Sequence, residues 1–528
     1  MDDIKGIIAR FSALEGQREN WQNHFQELAD YMLPRKADIV RKRSKGEKRM
    51  EQIFDGTALQ AVDLLSASLH GMLTSGATPW FHLAMKDEDV GRTDEVQAWL
   101  EDTSTRMIRA FNQSNFETEI HEMYVDLVVF GTGCMFVEME GNQLRFSTRH
   151  ISEYHIAENQ YGLVDTVFRK YKISARQAVL RFGYDDVTDY IRKVYDKKPD
   201  DEVTMLHAVT PRYERDSSKM DSANMPFASV YICMESKMPI SIKGFQEFPY
   251  VVPRFLKATG ETMGRSPAMV ALPDVKMLNL MSKTIIQAAQ KQIDPPLLVP
   301  DDGFILPIRT NPGGLNFYRA GSRDTITPLN VGANIPIGLQ MEEQRRMAIR
   351  SAFYVDQLLS GGNVNMTATE VVQRQEERMR VIGPVLGRLM NEMLRPLIDR
   401  TFALMLRDEM LAQPPEVLQG RDVDIDYVSP LARAQKSSSL NNTMKALEIL
   451  LPLGQSFPVG DHVDPDGLVR HITDALGVPK TVLNSESQIQ QTREARAQQQ
   501  AQMAERQSEQ EDVYTAAQAA QAVRMVQK

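Results

Sequence analysis

Gly264-Arg265-Ser266-Pro267 heads a stretch, reaching to Arg407, on which the reading of this chain turns. Ser266 carries the short hydroxyl that caps a helix, and Pro267 suits the first helical position, where no N–H is needed. Ala271, Val275, Leu278, Met281, Ile285 and Ala289 recur at three- and four-residue spacing, which is one apolar helical face. Lys276, Lys283, Gln287 and Gln290 fall on a polar face, and Asp294-Pro295-Pro296 stops the helix. A Pro/Gly-rich excursion ends near Ile335-Pro336, and a second helix is expected to run to about Val355, with Glu342, Arg346 and Arg350 at i,i+4 spacing. Gln357-Leu358-Leu359-Ser360-Gly361-Gly362-Asn363-Val364-Asn365-Met366 follows without a charge. Thr367-Ala368-Thr369-Glu370 is a capping box launching a long helix, with Met379, Ile382, Leu386, Leu389, Met393 and Leu397 as its core stripe. Pro384 and Pro396 are its expected kinks. Helix, protruding lobe, helix, glycine loop and kinked helix describe a channel wall better than a catalytic pocket.

The bulk numbers bound the class. At 528 residues the chain has room for several domains, and 42% hydrophobic with 25% charged residues is ordinary for a globular protein. Its 61 basic and 70 acidic residues leave a net charge of −9, the wrong sign for a static nucleic-acid clamp but compatible with a surface along which DNA slides. Cys134 and Cys233 form no CxxC pair, so a reducing compartment is expected. Met1-Asp2-Asp3 lacks the basic-then-apolar order of a secretory signal, and the most apolar window, Leu127 to Val137, is far too short to span a bilayer.

Before Gly264 the pattern is α+β. A helical run extends from Asp2 to Leu33, ended by Pro34, and Arg41 to Arg49 is the most basic run in the chain. That run suits either a solvated loop, the more common case, or a phosphate contact. A helix over Ala58–Met72, a buried strand at Trp80-Phe81-His82-Leu83, and two helices between Thr93 and Phe130 broken near Asn112–Asn115 come next. Strands are then expected at Cys134–Glu140, Leu144–Thr148, Gly162–Lys170, Val203–Tyr213, Ala228–Met234 and Tyr250–Leu256, with short helices at Ser174–Phe182 and Val187–Val194. After Pro414-Pro415 lie one strand, Val423–Val428, helical segments over Leu431–Leu451 and Pro465–Leu476, and a Gln/Ala-rich tail from Ser487.

Catalytic motifs are weak throughout. Gly260-Glu-Thr-Met-Gly264-Arg265-Ser266 falls one residue short of a phosphate-binding loop and has Arg where Lys belongs, so a helix cap at a packed junction is the better reading. Asp422, Asp424 and Asp426 share a strand face that could chelate a cation but reads better as a solvated edge. None of the nine histidines falls into HExxH or Cys/His spacing, so no metal, no cofactor and no catalytic residue is expected. The glycine loop lacks the nearby cations a phosphate cradle wants; permissive backbone and short polar side chains suit a loop flexing beside a moving partner.

A larger ordered set of pieces carries a resemblance: Trp21, Tyr31 and Pro34-Arg35, Asp55-Gly56-Thr57, Trp80-Phe81-His82-Leu83, Gly131-Thr132-Gly133 and Pro249-Tyr250, then Gly264-Arg265-Ser266-Pro267, Pro273-Asp274 with Leu278-Asn279, and Pro295-Pro296. Thr367-Ala-Thr-Glu370-Val371 with Arg374, Glu377 and Gly383-Pro384, and Pro430-Leu431-Ala432-Arg433, complete it. In this order, from about Arg10 to Leu440, the chain resembles the podovirus portal, or head-to-tail connecting, proteins of tailed bacteriophages; Met263 stands where that family usually has an aromatic.

The resemblance implies a mainly helical α+β portal-type fold forming a homo-oligomeric ring, typically a dodecamer, around a channel at one capsid vertex. Residues 1–263 would be the first part of the wing, 264–292 and 335–355 the two stem helices, 293–334 the clip and 356–366 a tunnel loop. Residues 367–429 would return to the wing, 430–484 form the crown, and 485–528 a C-terminal helical barrel or tail. The tunnel loop (Leu358, Leu359, Ser360, Gly361, Gly362, Asn363, Val364, Asn365) and the stem cations Lys276, Lys283, Arg346 and Arg350 would face double-stranded DNA in transit. Terminase, tail adaptor, capsid or scaffold and internal core proteins are the implied partners, with no membrane. The implied location is the virion, and the host cytoplasm during assembly. The competing readings are a packaging NTPase using Gly260–Ser266 and an internal head or scaffolding protein supported by the Gln-rich C-terminus.

Overall fold

The computed structural model describes residues 4–44, 46–85, 93–216, 218–219, 221–299, 307–310, 315–317, 326–329, 335–358, 382–418, 423–427, 440, 443–450, 452, 464–476 and 488–503. They fall into two compact units, one of Met1–Phe81 with Asp102–Gln413 and one of His82–Glu101 with Pro414–Lys528.

The first unit begins with α1 (Ile4–Gln17) and α2 (Glu19–Met32), where the sequence suggests one continuous helical run. The break falls at Arg18, whose buried guanidinium donates to the carbonyls of Ile151 and Tyr154. The two helices cover different surfaces, which is why one straight rod does not suffice. Phe11 of α1, with Ile4, Ile7, Ile8 and Leu14, lies on a sheet, while Phe25 of α2 meets Phe130 edge-on at 5.7 Å. Then come α3 (Thr57–Leu73), β1 (Phe81–Met85), α4 (Asp94–Gln113) and α5 (Phe116–Phe130), of which the part of β1 and α4 within His82–Glu101 belongs to the second unit. The α4–α5 break sits where Asn112–Asn115 indicates, and Asn115 fixes it by exchanging two hydrogen bonds with the Phe146 backbone.

Two antiparallel sheets follow. In one, β2 (Met135–Glu140) lies between β3 (Gln143–Thr148) and β9 (Tyr250–Val251). The other has the order β4 (Tyr154–Glu158), β5 (Val164–Ser174), β6 (Glu202–Pro211), β7 (Phe227–Cys233), β8 (Met238–Phe245). Its register splits side chains cleanly between faces. Phe168, Leu206, Ala208, Val230 and Ile232 meet α1. Tyr171, Met205 and Cys233 meet α6 (Ala175–Phe182) and α7 (Asp189–Lys197). The sequence reading lacks β4 and β8. Both are sheet edges, where polar side chains and Pro239 are tolerated and the alternation of a buried strand is lost. The strand expected over Tyr250–Leu256 survives only as Tyr250–Val251, because Pro253 has no N–H for a ladder.

α8 (Pro267–Ile293) and α9 (Ile335–Ala352) form a packed pair. α9 stops at Ala352, three residues short of expectation, where Tyr354 takes a left-handed φ of +57° before a single turn at Val355–Leu358. Between the pair, β10 (Leu297–Leu298) and β11 (Thr327–Pro328) form a two-stranded antiparallel ribbon. From residue 382 the chain is helical again, with a π-turn at Met390–Leu394 and a final helix at Arg395–Arg407. The irregularity precedes Pro396: lacking an N–H, the proline cannot bond the Glu392 carbonyl, and the Arg395 N–H reaches back to Met390.

In the second unit, β1 pairs with β12 (Val423–Tyr427), so the expected Val423–Val428 strand is present. Helices occupy Pro465–Leu476 and residues 443–450 and 488–503.

Candidate functional site

Gly131-Thr132-Gly133 and Gly264-Arg265-Ser266-Pro267, far apart in sequence, fold into one junction at the head of α8. Gly131 ends α5 in the left-handed conformation, φ +76°. A Cβ on Gly131 would stand 2.4 Å from the Gly264 carbonyl oxygen, and one on Gly264 2.0 Å from that of Gly131, so the two backbones touch where no side chain fits. The Thr132 hydroxyl accepts from the Gly264 N–H at 2.8 Å. Ser266 accepts from the Met269 N–H at 3.1 Å, capping α8, and donates to the Val129 carbonyl at 2.8 Å, tying that cap to α5. Leu256 and Arg265 exchange backbone hydrogen bonds, and Phe255 N–H reaches the Gly131 carbonyl at 2.9 Å.

Arg254, 1% exposed, fills the space behind this junction. Its Nε and Nη2 each donate to Glu392 at 2.9 Å, and Nη2 also reaches the Gly162 carbonyl at 2.8 Å. Nη1 pairs with Glu158, which Lys257 holds from its other side at 2.6 Å, while Arg388 supports Glu392 at 2.8 Å. A buried cation is tolerated only with such full pairing. The network joins the β4–β5 hairpin, the segment leading from β9 to α8, and the π-turn of the closing helix. Sequence reading passes over Arg254 and Glu392; the available signal is a lone arginine inside the apolar run Val251–Leu256.

The helix pair is also joined by polar groups. Buried Glu342 accepts from the Ser282 hydroxyl at 2.6 Å and pairs with Arg346 at 3.1 Å; Arg345 pairs with Asp274 at 2.8 Å. Asp55-Gly56-Thr57 lands here too. Asn279 Oδ1 accepts from the Phe54 N–H at 2.7 Å and the Asp55 N–H at 3.2 Å, and Asp55 accepts from Arg346 at 3.0 Å. Burial opposes ionisation of Asp55, yet its hydrogen bonds from Thr57 and the Arg346 guanidinium leave its carboxyl below the ordinary value.

Of the four stem cations, Lys276 pairs with Glu27, and Arg346 faces Asp55, Glu342 and Glu343. Lys283 lies over the Phe54 ring at 5.6 Å, and Arg350 has Glu343 at 3.9 Å. The two helices thus carry these cations, and Lys276, Arg346 and Arg350 each have a carboxylate of the same protomer. Leu359, Ser360, Gly361, Gly362, Asn363, Val364 and Asn365 lie outside the described residues, and Leu358 ends the turn that begins at Val355. The capping box Thr367–Glu370 and the crown motif Pro430–Arg433 lie outside them as well.

Gly260–Ser266 makes no phosphate cradle. Arg265 is held by Glu261 at 2.7 Å and stacks over Trp21 at 4.5 Å, and the Ser266 hydroxyl is used by the cap. Among the described residues, no cluster of His, Cys, Asp and Glu has metal-binding geometry, and no helix is long and apolar enough to cross a membrane. Both thiols are buried, and burial pushes that of Cys134 up to about 12.

Comparison with known proteins gives the family. The bacteriophage head to tail connecting protein family matches residues 5–483. The chain is 33% identical over 507 residues to a probable portal protein of Bordetella phage BPP-1, covering 94% of this chain and 91% of that one. It is 34% identical over 535 residues to the portal protein of Salmonella phage epsilon15, covering 99% and 93%. The portal protein of Enterobacteria phage T3 is 22% identical over 78% of this chain and 76% of its own. The chain therefore belongs to the bacteriophage head to tail connecting protein family, as its ordered motifs indicate. It is a structural connector of the phage head–tail junction and not an enzyme.

Proposed function

We propose that copies of this chain close into a ring, typically of twelve, at one capsid vertex, and that double-stranded DNA enters and leaves the head through its centre. The observation that carries the reading is the motif junction: the family's signature residues converge on the head of a long helix pair and brace it against the rest of the unit. A wall that must stand upright while a duplex passes needs such bracing. Exposed apolar side chains on the same pair, Val270, Met277 and Leu280 on α8 and Ile337, Met341 and Met347 on α9, support lateral contact with further copies.

In this reading residues 264–292 and 335–355 are the stem, 293–334 the clip docking terminase and later the tail adaptor, and 356–366 the loop beside DNA. The 1–263 and 367–429 segments form the wing, 430–484 the crown, and 485–528 a barrel or tail near internal head proteins. The net charge of −9 suits a surface to which a sliding duplex does not stick. Lys283 and Arg350 are the stem cations best placed for transient phosphate contacts, since Arg346 and Lys276 already face closer carboxylates. Native mass spectrometry and negative-stain microscopy of the purified chain test this: rings with an axial hole are expected, and a monomer persisting at micromolar concentration refutes it.

A further inference from the structure

The basic run between α2 and α3 is not used by the channel reading. We propose that this loop binds the phosphodiester backbone of double-stranded DNA through Arg41, Lys42 and Lys48, none of which the channel reading assigns to DNA.

Its backbone is held, not draped. The buried Gln26 amide oxygen accepts from the N–H groups of Ile39 at 3.2 Å, Val40 at 2.8 Å and Arg41 at 3.1 Å, and its Nε2 donates to the Ala37 carbonyl at 2.6 Å. At the other end Phe54 and Asp55 are fixed on Asn279. Four neighbouring carboxylates are already paired: Asp30 with Arg43 at 3.1 Å, Asp38 with Arg49, Glu122 with Arg35 and Lys36, and Asp126 with Lys36 at 2.7 Å, while Glu51 is exposed three residues from Lys48. Glu47 accepts from the Ser44 N–H at 2.9 Å. Arg41, Lys42 and Lys48 are left exposed, with no carboxylate partner among the described residues.

Among the described residues, Arg35, Lys36, Arg43 and Arg49 serve to build the loop and Arg41, Lys42 and Lys48 are displayed by it. In a chain of net charge −9, Arg41–Glu51 carries six cations against two carboxylates, a local positive excess. Lys193, Lys197 and Lys198 are equally exposed on and beside α7, but Asp189, Asp196, Asp200 and Asp201 lie in the same stretch, so their field is cancelled locally. Fixed cations over a short span suit a partner with closely repeating charge and no cations of its own, which describes a phosphate backbone. An acidic protein face is the competing occupant, and exposed Val40 and Met50 would suit it.

The test uses the full chain and a duplex of about 30 base pairs, with affinity followed by fluorescence anisotropy from about 50 to 200 mM salt. The triple variant R41A/K42A/K48A should lower the magnitude of the slope of log Kobs against log salt by about 2 to 3 per engaged protomer. K193A/K197A/K198A should leave the slope unchanged. Unaltered slopes in the first variant, or equal losses in both, overturn the proposal. So does unaltered DNA affinity with loss of incorporation into heads, which assigns the loop to a protein partner. Native mass of each variant reports ring formation separately, so failure of the ring reading is distinguishable from failure of this one.

Discussion

Two glycines carry more of this structure than their size suggests. Gly131 and Gly264 let the end of α5 and the start of α8 approach until their backbones touch, and the Thr132 and Ser266 hydroxyls then close the remaining hydrogen-bond gaps. Gly264→Ala places a methyl group 2.0 Å from a backbone oxygen that cannot swing aside. We expect it to destabilise the first unit by about 3 kcal/mol or more, read as a lower midpoint in urea melts at unchanged m-value. Gly56→Ser, where a Cβ would meet nothing within 4 Å, is the control that should melt close to wild type.

Among the elements, the last helix of the first unit is fastened to the sheet by one carboxylate. Glu247, just after β8, accepts from Arg400 at 2.6 Å and from Arg407 at 2.6 and 2.8 Å. Burial alone would raise its carboxyl, but the Arg407 hydrogen bonds and both guanidinium charges outweigh that and hold it below its ordinary value. A depressed folded value means the stabilisation is complete above the unfolded carboxyl near 4.5 and is lost as pH falls through the lower folded value. Glu247→Gln should cost about 1–2 kcal/mol at neutral pH, a figure reduced for screening because the side chain is 33% exposed. The difference from wild type should shrink through the acid range below the unfolded value, as measured by denaturation at stepped pH. A difference independent of pH would show that packing, not charge, fastens the helix.

For the whole molecule, assembly and DNA passage should separate genetically. The junction, the Arg254 network and the helix pair are built from residues outside 360–365, so deletion of Ser360–Asn365 should leave rings of wild-type mass. The same deletion should lower DNA packaged or retained per head severalfold, measured by nuclease protection of filled particles. Full packaging by the deleted ring would remove that segment from the channel assignment. Lost rings would show that it is needed for assembly instead.

Local chemistry in the chain was enough for much of this. Ser266-Pro267 and the Ala271–Val275–Leu278 spacing mark α8, the turn residues at Asn112–Asn115 split α4 from α5, and alternation marks β5, β6 and β7, because capping, periodicity and turn preference act within a few residues. Connector membership was legible too, since it rests on the order of short motifs. What those motifs do was not legible. That Gly131 and Gly264 meet, that Asp55 lands on Arg346, and that Arg254 seeks Glu392 138 residues away are long-range contacts with no local signature. The break at Arg18 and the edge strands β4 and β8 were hidden for the same reason: a helix bends, or a polar strand joins a sheet, because of the surface it meets. Pairing of the stem cations with their own carboxylates likewise depends on which helices pack together, and only the tertiary structure decides that.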